Sequence, residues 1–414
     1  MENQKTKAQL LYQKIKEEHE DLVFYEGSFY MRPENSYTWQ TVALLDYIAK
    51  KYDQQLSYNN LSWLSQRLQC KIDSPVLKKF STRFPIRTAN GYDIFTSETS
   101  GVVVVESVGG FTPYNIPVDY DPNATGENID KFMVSVVSEN SSVENLYEIL
   151  GEPLIRNNKK SEKAHLIYGP QGCGKSTFVE LLYPLYGECA TNVPFRNIQA
   201  GKRCHDLTHS LVNIDDDIDE NQYGDVKMIK QIVSRNAFSV DNLYQNTTLE
   251  IHPAFCNVFT CNELPEFTSK GEEMSIRFRV EQFTKTFRGT DECDKDLPKK
   301  LQKELSYLLN KCIEGANRLL ARDMRFIETA DSNAFAEAVK EQDTVRSFLE
   351  DYENVIEANT LPQTFELYVN ATKRDGKFPL SKHKFGKRLK ALGWTQTTSR
   401  DSSGKVYYHW KHPE

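Results

Sequence analysis

The sequence predicts an α/β protein in which a central parallel sheet is flanked by helices and followed by a helical extension and a small basic domain. Three observations favour this fold class. Residues 164–285 alternate apolar strands with polar turns and helices, as parallel sheets with crossover helices do. Residues 296–327 and 333–356 carry apolar residues at helical spacing. Residues 363–414 have the pattern of two helices followed by a two-stranded hairpin.

The first part of the chain is interpreted from the same kinds of pattern. Residues 5–24 have helical spacing, and the aromatic and polar alternation of FYEGSFYMRP, residues 24–33, indicates a short hairpin. Helical spacing returns over residues 38–70. The run GVVVVES at 101–107 predicts a buried strand, and residues 129–151 predict a pair of amphipathic helices.

At about 150 residues per domain, a chain of 414 residues is expected to form two to four domains. The patterns divide this chain into five parts. They are an N-terminal α/β module of unclear role at 1–120, a helical collar or linker at 121–160, an α/β core at 161–295, a helical extension at 296–356 and a small C-terminal domain at 357–414.

Composition excludes several classes of protein. Lys and Arg number 51 and Asp and Glu number 58, so the net charge of −7 excludes a globally basic nucleic-acid coat. Apolar runs such as Val102 to Val105 are far shorter than the roughly 20 residues of a membrane span. The polar N-terminus lacks the apolar core of a signal peptide, which predicts a cytoplasmic protein. The eight cysteines show no CxxC pair, so we expect reduced, structural thiols.

The strongest motif directly follows the apolar run at 164–168. Its residues are Gly169, Pro170, Gln171, Gly172, Cys173, Gly174, Lys175 and Ser176, followed by Thr177. They match the phosphate-binding pattern G-x-x-x-x-G-K-[ST], in which glycines let backbone N–H groups face the phosphates. Lys175 would place a charge on the β- and γ-phosphates, and the Ser176 hydroxyl would coordinate Mg²⁺. The motif therefore predicts that ATP and Mg²⁺ bind here.

A second apolar run, Leu211 to Ile214, ends in acidic residues. Enzymes with such a phosphate loop need a carboxylate for Mg²⁺ and another for the attacking water. Asp215 would hold the metal through water, and Asp216 would polarise the nucleophile. Because Asp219 and Glu220 lie close by in the sequence, the register could slip by one residue. The alternative is a solvated acidic loop.

Two further polar groups follow apolar strands. Phe255 to Thr260 leads to Asn262, whose amide could hold the lytic water or simply cap the strand end. In the alternating run 276–283, Arg277 and Arg279 lie on one face of a strand. One of them could reach a neighbouring subunit's nucleotide as an arginine finger, or either could form a surface ion pair.

Taken together, these residues resemble a superfamily 3 helicase, a class of AAA+ ATPase found in small DNA viruses, phages and mobile elements. The order of motifs is the same: Walker A, Walker B with paired acids, motif C at Thr260-Cys261-Asn262, and the arginine block. The phage and plasmid primase-helicase C-terminal type is most similar. It shares segments like NGYDIFT at 90–96, FTPYNIPVDYDPNA at 111–124 and ELSYLLNKCIEGANRLL at 304–320. The resemblance covers about residues 85–414 and also suits a replication initiator-helicase of a phage-inducible chromosomal island.

The resemblance implies a homohexameric ring that threads single-stranded DNA and moves three-prime to five-prime, with host replication proteins as further partners. It implies that Asn262 is the sensor. It also implies that Arg277 is the trans finger, because Arg277 lies six residues before Phe283 as in the family's block. Relatives often carry a primase domain, but residues 1–110 show no cysteine cluster or acid triad. We therefore expect no primase activity in this chain.

The DNA-contacting hairpin of the family, within residues 229–246 here, departs from its pattern because its tip has no lysine. Tyr244 could stack on a base, beside Gln245, with Lys230 and Arg235 near the phosphates. The alternative for Tyr244 is packing in the core.

The C-terminal tail is locally basic. Residues 373–411 contain 11 Lys and Arg against two acids. Lys384, Lys387 and Arg388 lie on an amphipathic helix, and Lys405 lies in the turn of the hairpin that follows. This pattern predicts a winged-helix domain that binds DNA, including origin duplex DNA. The alternative is a solvated basic face on a protein-interaction domain.

Three functions fit the sequence to different degrees. The leading hypothesis is an ATP-driven DNA helicase that acts in replication initiation. The alternative is a non-unwinding AAA+ origin-binding initiator or helicase loader that uses ATP as an assembly switch. A monomeric P-loop kinase is a third hypothesis, and it would need no trans finger.

Overall fold

The computed structural model describes residues 7–18, 22–25, 28–33, 35–42, 84–97, 100–107, 109–156, 161–199, 204–216, 218, 226–234, 236–242, 247–251, 255–263, 276–341 and 343–412. The chain divides into two compact units. Unit 1 consists of Met1–Leu264 and Arg277–Ser332, and unit 2 consists of Pro265–Ile276 and Asn333–Glu414.

The described helices are numbered in chain order. They are α1 (Lys7–Glu18), α2 (Glu127–Val136), α3 (Val143–Gly151), α4 (Lys175–Glu180), α5 (Leu182–Tyr186), α6 (Phe195–Gln199), α7 (Val226–Val233), α8 (Leu297–Gln302), α9 (Leu305–Ala321), α10 (Ala330–Glu341), α11 (Thr344–Ile356), α12 (Leu361–Arg374) and α13 (Lys382–Ala391). No helix among the described residues has the length and apolar composition needed to cross a membrane.

The described strands form five sheets. They are β1 (Leu22–Tyr25), β2 (Ser28–Met31), β3 (Gln40–Val42), β4 (Ile86–Arg87), β5 (Tyr92–Ser97), β6 (Gly101–Glu106), β7 (Ala164–Tyr168), β8 (Ala190–Thr191), β9 (Val212–Asp215), β10 (Phe238–Asn242), β11 (Thr247–Ile251), β12 (Cys256–Cys261), β13 (Phe278–Gln282), β14 (Thr395–Arg400) and β15 (Val406–Lys411). Their orders are β1-β2-β3, β4-β5-β6, β13-β7-β12-β9-β8, β10-β11 and β14-β15.

The five-stranded sheet of unit 1 is parallel throughout. Every residue of β12 is buried, as are the first four residues of β7 and of β13. Such continuous burial is expected of parallel strands, because helices cover their faces. Phe178 of α4 and Leu182 of α5 share a hydrophobic core with Val258 of β12. The predicted α/β class, a parallel sheet flanked by helices, is confirmed.

The structure confirms some of the secondary-structure predictions for residues 1–107 and contradicts others. The hairpin is confirmed, since β1 and β2 pair antiparallel with Leu22 opposite Met31. The helix expected over 5–24 is wrong at residues 22–24, which belong to β1 because they pair with β2. The prediction of helix is wrong at Gln40–Val42, because these residues form β3 and pair with β2. Pairing in the sheet outweighs the local helical spacing there. The rest of 38–70, from residue 43, lies outside the described residues. Residues Gly101–Glu106 do form a strand, but only Val102 is buried, because β6 lies at the edge of its sheet.

Helices α3 and α9 approach each other unusually closely. A Cβ atom added to Gly151 would lie 2.1 Å from the carbonyl oxygen of Cys312, and one added to Gly315 would lie 2.4 Å from that of Tyr147. Next to this contact, Arg322 pairs with the buried carboxylate of Glu148 at 2.5 Å. The absence of a side chain at the two glycines therefore sets the distance between the helices.

We expect Gly315→Ala to destabilise the protein, although helix propensity alone favours alanine by about 1 kcal/mol. The new methyl group would push against backbone, which overpacks the contact by about 3 kcal/mol, so the net loss is about 2 kcal/mol and the thermal midpoint falls by roughly 2–3 °C. The matched control is Gly386→Ala on α13, where the nearest atom, on Trp410, lies at an ordinary 3.5 Å. Differential scanning calorimetry of both variants checks this, and equal stability of the two would contradict it.

Unit 2 packs α11, α12 and α13 with the hairpin β14-β15 around an aromatic core. Its buried hydrophobic residues are Val345, Phe348, Ile356, Tyr368, Ala371, Phe385, Leu389, Trp394 and Trp410. Asp343 accepts hydrogen bonds from the backbone N–H groups of Val345 and Arg346 and so caps the start of α11. The predicted order of helix, helix and hairpin over 363–414 is confirmed.

Candidate phosphate-binding site

A glycine-rich loop joins β7 to α4 at the carboxyl end of the parallel sheet. Gly169, Gly172 and Gly174 have φ values of 152°, 80° and 98°, which side chains rarely adopt. Gly174 precedes α4 directly, and a Cβ atom there would lie 2.9 Å from Val136 of α2. The loop therefore needs glycine both for its backbone and for the approach of α2.

The segment after β13, residues 283–288, crosses this loop and is called the crossing segment below. The N–H of Phe283 donates to the oxygen of Tyr168 at 2.8 Å, and that of Phe287 donates to the oxygen of Gly172 at 2.9 Å. A Cβ atom at Gly169 would lie 2.0 Å from the oxygen of Phe283. The glycines therefore also admit a second piece of backbone, which holds the loop in place.

Lys175, the first residue of α4, is buried and is surrounded by oxygen atoms. Its ammonium donates to the carbonyls of Gly169 at 2.6 Å and Pro170 at 3.0 Å, and to Oδ1 of Asn262 at 3.1 Å. Asn262 reaches this point because β12 and β7 are parallel neighbours with Cys261 opposite Tyr168. Residues that follow the two strands therefore meet at one edge of the sheet.

The acidic residues after β9 lie at the same edge. β9 is the other neighbour of β12, with Asp215 opposite Phe259. The hydroxyl of Thr260 donates to Oδ1 of Asp216, and the N–H of Ile218 donates to the oxygen of Thr260 at 2.8 Å. Burial, and then the charges of Asp216 and Asp215, raise the pKa of Tyr183 on α5. Both carboxylates therefore lie close to the helices that follow the glycine-rich loop.

A cavity of about 660 Å³ opens over the loop, within the range of ligand pockets. The predicted site residues that line it are Gln171, Gly172, Gly174, Lys175, Ser176, Thr177, Asp216 and Asn262. Gly169 and Pro170 offer carbonyls to Lys175 instead, and Cys173 is fully buried behind the loop. Asp215 is half-buried at the end of β9 and is not part of the lining.

Two walls of the cavity carry no sequence motif. α2 supplies Asn128, Lys131, Phe132 and Ser135, and the chain from the crossing segment to the start of α8 supplies Phe287, Arg288, Glu292, Cys293, Asp294 and Leu297. These residues come near the loop only through tertiary packing, so no spacing pattern marks them. The helical period of 129–151 is the one available signal, and it identifies a helix but not a binding wall.

The side chains at this edge of the sheet suit a Mg²⁺ ion that is bound together with a nucleotide. They suit a metal ion held by protein ligands alone less well. Within the described ranges, no group of three or more His, Cys, Asp and Glu side chains could hold a metal ion. Mg²⁺ bound with a nucleotide needs only one or two protein oxygens, because phosphates and water complete its shell. The hydroxyl of Ser176 and the carboxylate of Asp216 line the same cavity and are suitable donors.

Arg279 lies in β13, and Arg277 directly precedes this strand. The two arginines have different surroundings. Arg279 is buried, donates to Thr329 at 3.0 Å and Ser332 at 2.9 Å, and pairs with Glu281 at 2.6 Å. Removing it from these partners would leave buried polar groups unsatisfied. Arg279 is therefore a structural residue of unit 1.

Arg277 lies at the opposite end of the sheet from the glycine-rich loop. It is partly exposed, and its guanidinium donates to Glu162 at 2.8 Å and Ser234 at 3.3 Å. Its own oxygen accepts from Ala164, the first residue of β7, whereas the loop follows the last residue of β7. A strand of five residues spans about 16 Å, so Arg277 lies too far away to reach the loop of its own chain.

Glu281, between Arg277 and the crossing segment, is a buried acid with an unusual proton affinity. Burial is the largest cause that raises its pKa, to about 7, against the opposing effects of Arg279 and of a 2.5 Å hydrogen bond from Ser141. The folded protein therefore retains this proton at pH values where the unfolded chain has lost it. Its contribution to stability is present at low pH and is lost as the pH rises through 7.

Comparison of wild type with Glu281→Gln should reveal this proton. Because the unfolded carboxyl titrates near 4.5, the wild type should lose about 2 kcal/mol of unfolding free energy relative to the variant between pH 5 and pH 7. Urea unfolding at the two pH values measures the difference. Parallel changes in both proteins would show that Glu281 is ionised in the folded state.

The residues predicted to contact DNA lie in two places. Lys230 lies in α7, and α7 leads into the antiparallel hairpin β10-β11, in which Asn242 pairs with Thr247. Arg235, Tyr244 and Gln245 lie outside the described residues.

In unit 2, Lys384 and Lys387 are exposed on α13, and Lys405 is exposed in the turn before β15. The ammonium of Lys405 lies 5.3 Å from the ring centroid of Tyr407. Arg388 pairs with Asp343 at 2.5 Å, so a phosphate would have to compete with that carboxylate.

The fold and this site define an α/β protein with a P-loop-like core. A family of unknown function, DUF5906, matches residues 167–277, which include the glycine-rich loop, the paired acids and Asn262. No protein of curated function matches the chain in sequence.

Solved structures with a similar fold include several of one protein region. The apo structure of the C-terminal region of NrS-1 (305–718) aligns over 98% of this chain and 99% of its own, with a TM-score of 0.56 and 12% identity. Two A-form apo structures of the same region give TM-scores of 0.53, with 13% and 11% identity over the same shares. At this identity the likeness shows a shared fold.

Proposed function

We propose that the protein is an ATP-dependent DNA helicase of the AAA+ superfamily 3 type that acts in replication initiation of a phage, plasmid or mobile island. It would work as a homohexameric ring on single-stranded and forked DNA, moving three-prime to five-prime. One observation carries the proposal. Lys175, Asp216 and Asn262 converge at the carboxyl edge of the sheet, whereas Arg277 lies at the amino edge, too far from the loop of its own chain to contact a nucleotide there.

The nucleotide chemistry follows from the convergent residues. Lys175 would exchange its carbonyl partners for oxygens of the β- and γ-phosphates, which bind an ammonium more strongly because they are charged. Asp216 would accept a proton from the attacking water, and Asn262 would orient that water. Ser176 directly, and Asp215 through water, would hold Mg²⁺, which would supply positive charge to the phosphates. Of the two carboxylates, Asp216 lines the cavity with Ser176 and Asp215 does not.

The position of Arg277 supports a ring. A planar guanidinium stabilises the negative charge that develops on a transferring phosphoryl group. In a head-to-tail ring, the amino edge of one sheet would face the nucleotide of the next subunit. There Arg277 would leave Glu162 and bind the neighbour's γ-phosphate.

The same arginine would connect ATP to DNA. Its second partner, Ser234, directly follows α7 and precedes the hairpin β10-β11. In the proposal this hairpin lies in the pore, with Tyr244 and Gln245 at its tip and Lys230 and Arg235 near the phosphates. Movement of Arg277 towards the neighbour's nucleotide would then pull on the base of the hairpin.

Unit 2 would supply a second DNA contact as a winged helix. The exposed lysines of α13 and of the β14-β15 turn suit the phosphates of an origin duplex. These lysines also favour the second candidate, a non-unwinding AAA+ origin-binding initiator or helicase loader. Such a protein would bind duplex DNA and ATP without releasing a strand.

Electron microscopy of the full chain with a non-hydrolysable ATP analogue and a single strand tests the proposal. We expect closed six-membered rings with DNA in the central pore, and fewer rings when the analogue is omitted. Monomers under both conditions would contradict a ring helicase and would favour a kinase, which needs no neighbour.

A further inference from the structure

Arg288 of the crossing segment lies beside the glycine-rich loop of its own chain. A Cβ atom added to Gly172 would lie 2.6 Å from Cβ of Arg288, so the backbones of the two residues lie close together. The neighbouring hydrogen bond from Phe287 to Gly172, at 2.9 Å, holds them there. Arg288 and Lys175 line the same cavity.

The guanidinium of Arg288 is available to bind a ligand. It is exposed, and among the described residues it has neither an ion pair nor a hydrogen bond. Two acids line the same wall, but each has its own lysine. Glu292 pairs with Lys285, and Asp294 pairs with Lys300 at 2.6 Å. The site therefore carries a cation that the fold itself does not use.

We propose that Arg288 binds the phosphate chain of the nucleotide held by its own glycine-rich loop. The assignment rests on the proposed nucleotide binding, and it adds a residue to that site. The loop places phosphates along its backbone N–H groups, so a cation next to Gly172 lies beside the phosphates rather than the base. A guanidinium can make two parallel hydrogen bonds to phosphate oxygens. The chain around β13 would then supply Arg277 to the neighbour's nucleotide and Arg288 to its own.

The role differs from that of the trans arginine. Because Arg288 is held at the loop by its own backbone, it would contact the phosphates as soon as the nucleotide binds, in a single subunit as well as in a ring. We therefore expect it to contribute to the affinity for ATP and ADP. Arg277, by contrast, would contribute to turnover after assembly.

Binding of a fluorescent ATP analogue to the full chain, measured at several protein concentrations, tests the assignment. We expect Arg288→Ala to raise the Kd about 10- to 100-fold, the range for hydrogen bonds to charged groups. Arg288→Lys, which retains the charge but not the fork, should lose less. The matched control is Lys299→Ala on α8, whose ammonium pairs with Asp296 outside the cavity and which should bind within 2-fold of wild type.

A second readout separates binding from folding. The thermal midpoint of Arg288→Ala without nucleotide should equal that of wild type, while the rise in midpoint on adding ATP should shrink. Binding of Arg288→Ala within 2-fold of wild type would overturn the assignment. The assignment would also be overturned if Arg288→Ala lowered the thermal midpoint without nucleotide as well as the affinity, and if Arg288→Lys restored neither. Wild-type protein that binds no ATP would instead overturn the proposed function, and this assignment with it.

Discussion

Replacing Lys175 by alanine is expected to abolish ATP hydrolysis and DNA unwinding while the fold survives. The variant removes the ammonium that lies among three oxygen acceptors at the carboxyl edge of the sheet. Loss of a preorganised charge at a transferring phosphoryl group lowers turnover by about 10²–10³. Steady-state hydrolysis of ATP in the presence of single-stranded DNA measures the loss.

The fold should survive because the loop does not depend on the lysine alone. Phe283 and Phe287 of the crossing segment bond to Tyr168 and Gly172 whether or not Lys175 is present. We therefore expect the thermal midpoint to change by only a few degrees. Lys311→Ala is a suitable control, because Lys311 lies on α9 and pairs with Glu314 outside the cavity. Hydrolysis by Lys175→Ala at close to the wild-type rate would contradict the site.

Replacing Arg277 by alanine is expected to lower the rate of ATP hydrolysis about 10³-fold or more, with little change in nucleotide affinity. The magnitude is that of arginine fingers supplied by a neighbour. Affinity should persist because Arg277 lies at the far edge of the sheet from its own loop. Turnover and nucleotide binding measured on the same preparation separate the two effects.

Mixing two inactive proteins provides the sharper form of this experiment. Arg277→Ala subunits retain the loop, and Lys175→Ala subunits retain the arginine, so mixed rings contain some complete interfaces. We expect hydrolysis to recover partly on mixing. Glu162→Gln is the control, since it removes the partner of Arg277 within the chain but retains the guanidinium and should hydrolyse ATP. Normal turnover by Arg277→Ala alone would favour the kinase hypothesis.

The parts of the site that sequence could predict are those that follow strands. Lys175, Asp216 and Asn262 each come shortly after an apolar run, and parallel strands bring their carboxyl ends to one edge. Local pattern and tertiary position therefore agree at these residues. The residue pattern alone does not distinguish Arg277 from Arg279 as the arginine finger, and the preference for Arg277 comes from the family resemblance. In the structure Arg279 is buried among Thr329, Ser332 and Glu281, whereas Arg277 is partly exposed.

Other features depend on packing between distant segments. Phe132 lies in a helical pattern that does not mark a binding wall, and Arg288 lies in no spaced pattern, yet both line the cavity. The helical spacing at Gln40–Val42 failed because pairing with β2 outweighs a weak local preference. The strand at Gly101–Glu106 is more exposed than its valines suggest, since a run of valines does not reveal whether a strand is central or at an edge.

Strand displacement on a forked DNA duplex tests the central claim most directly. With ATP and Mg²⁺, the wild-type chain should release the labelled strand, more efficiently from a fork with a free three-prime tail, while Lys175→Ala should not. Hydrolysis of ATP with DNA bound but no strand released, in the absence of any partner helicase, would contradict the helicase and favour the non-unwinding initiator or loader.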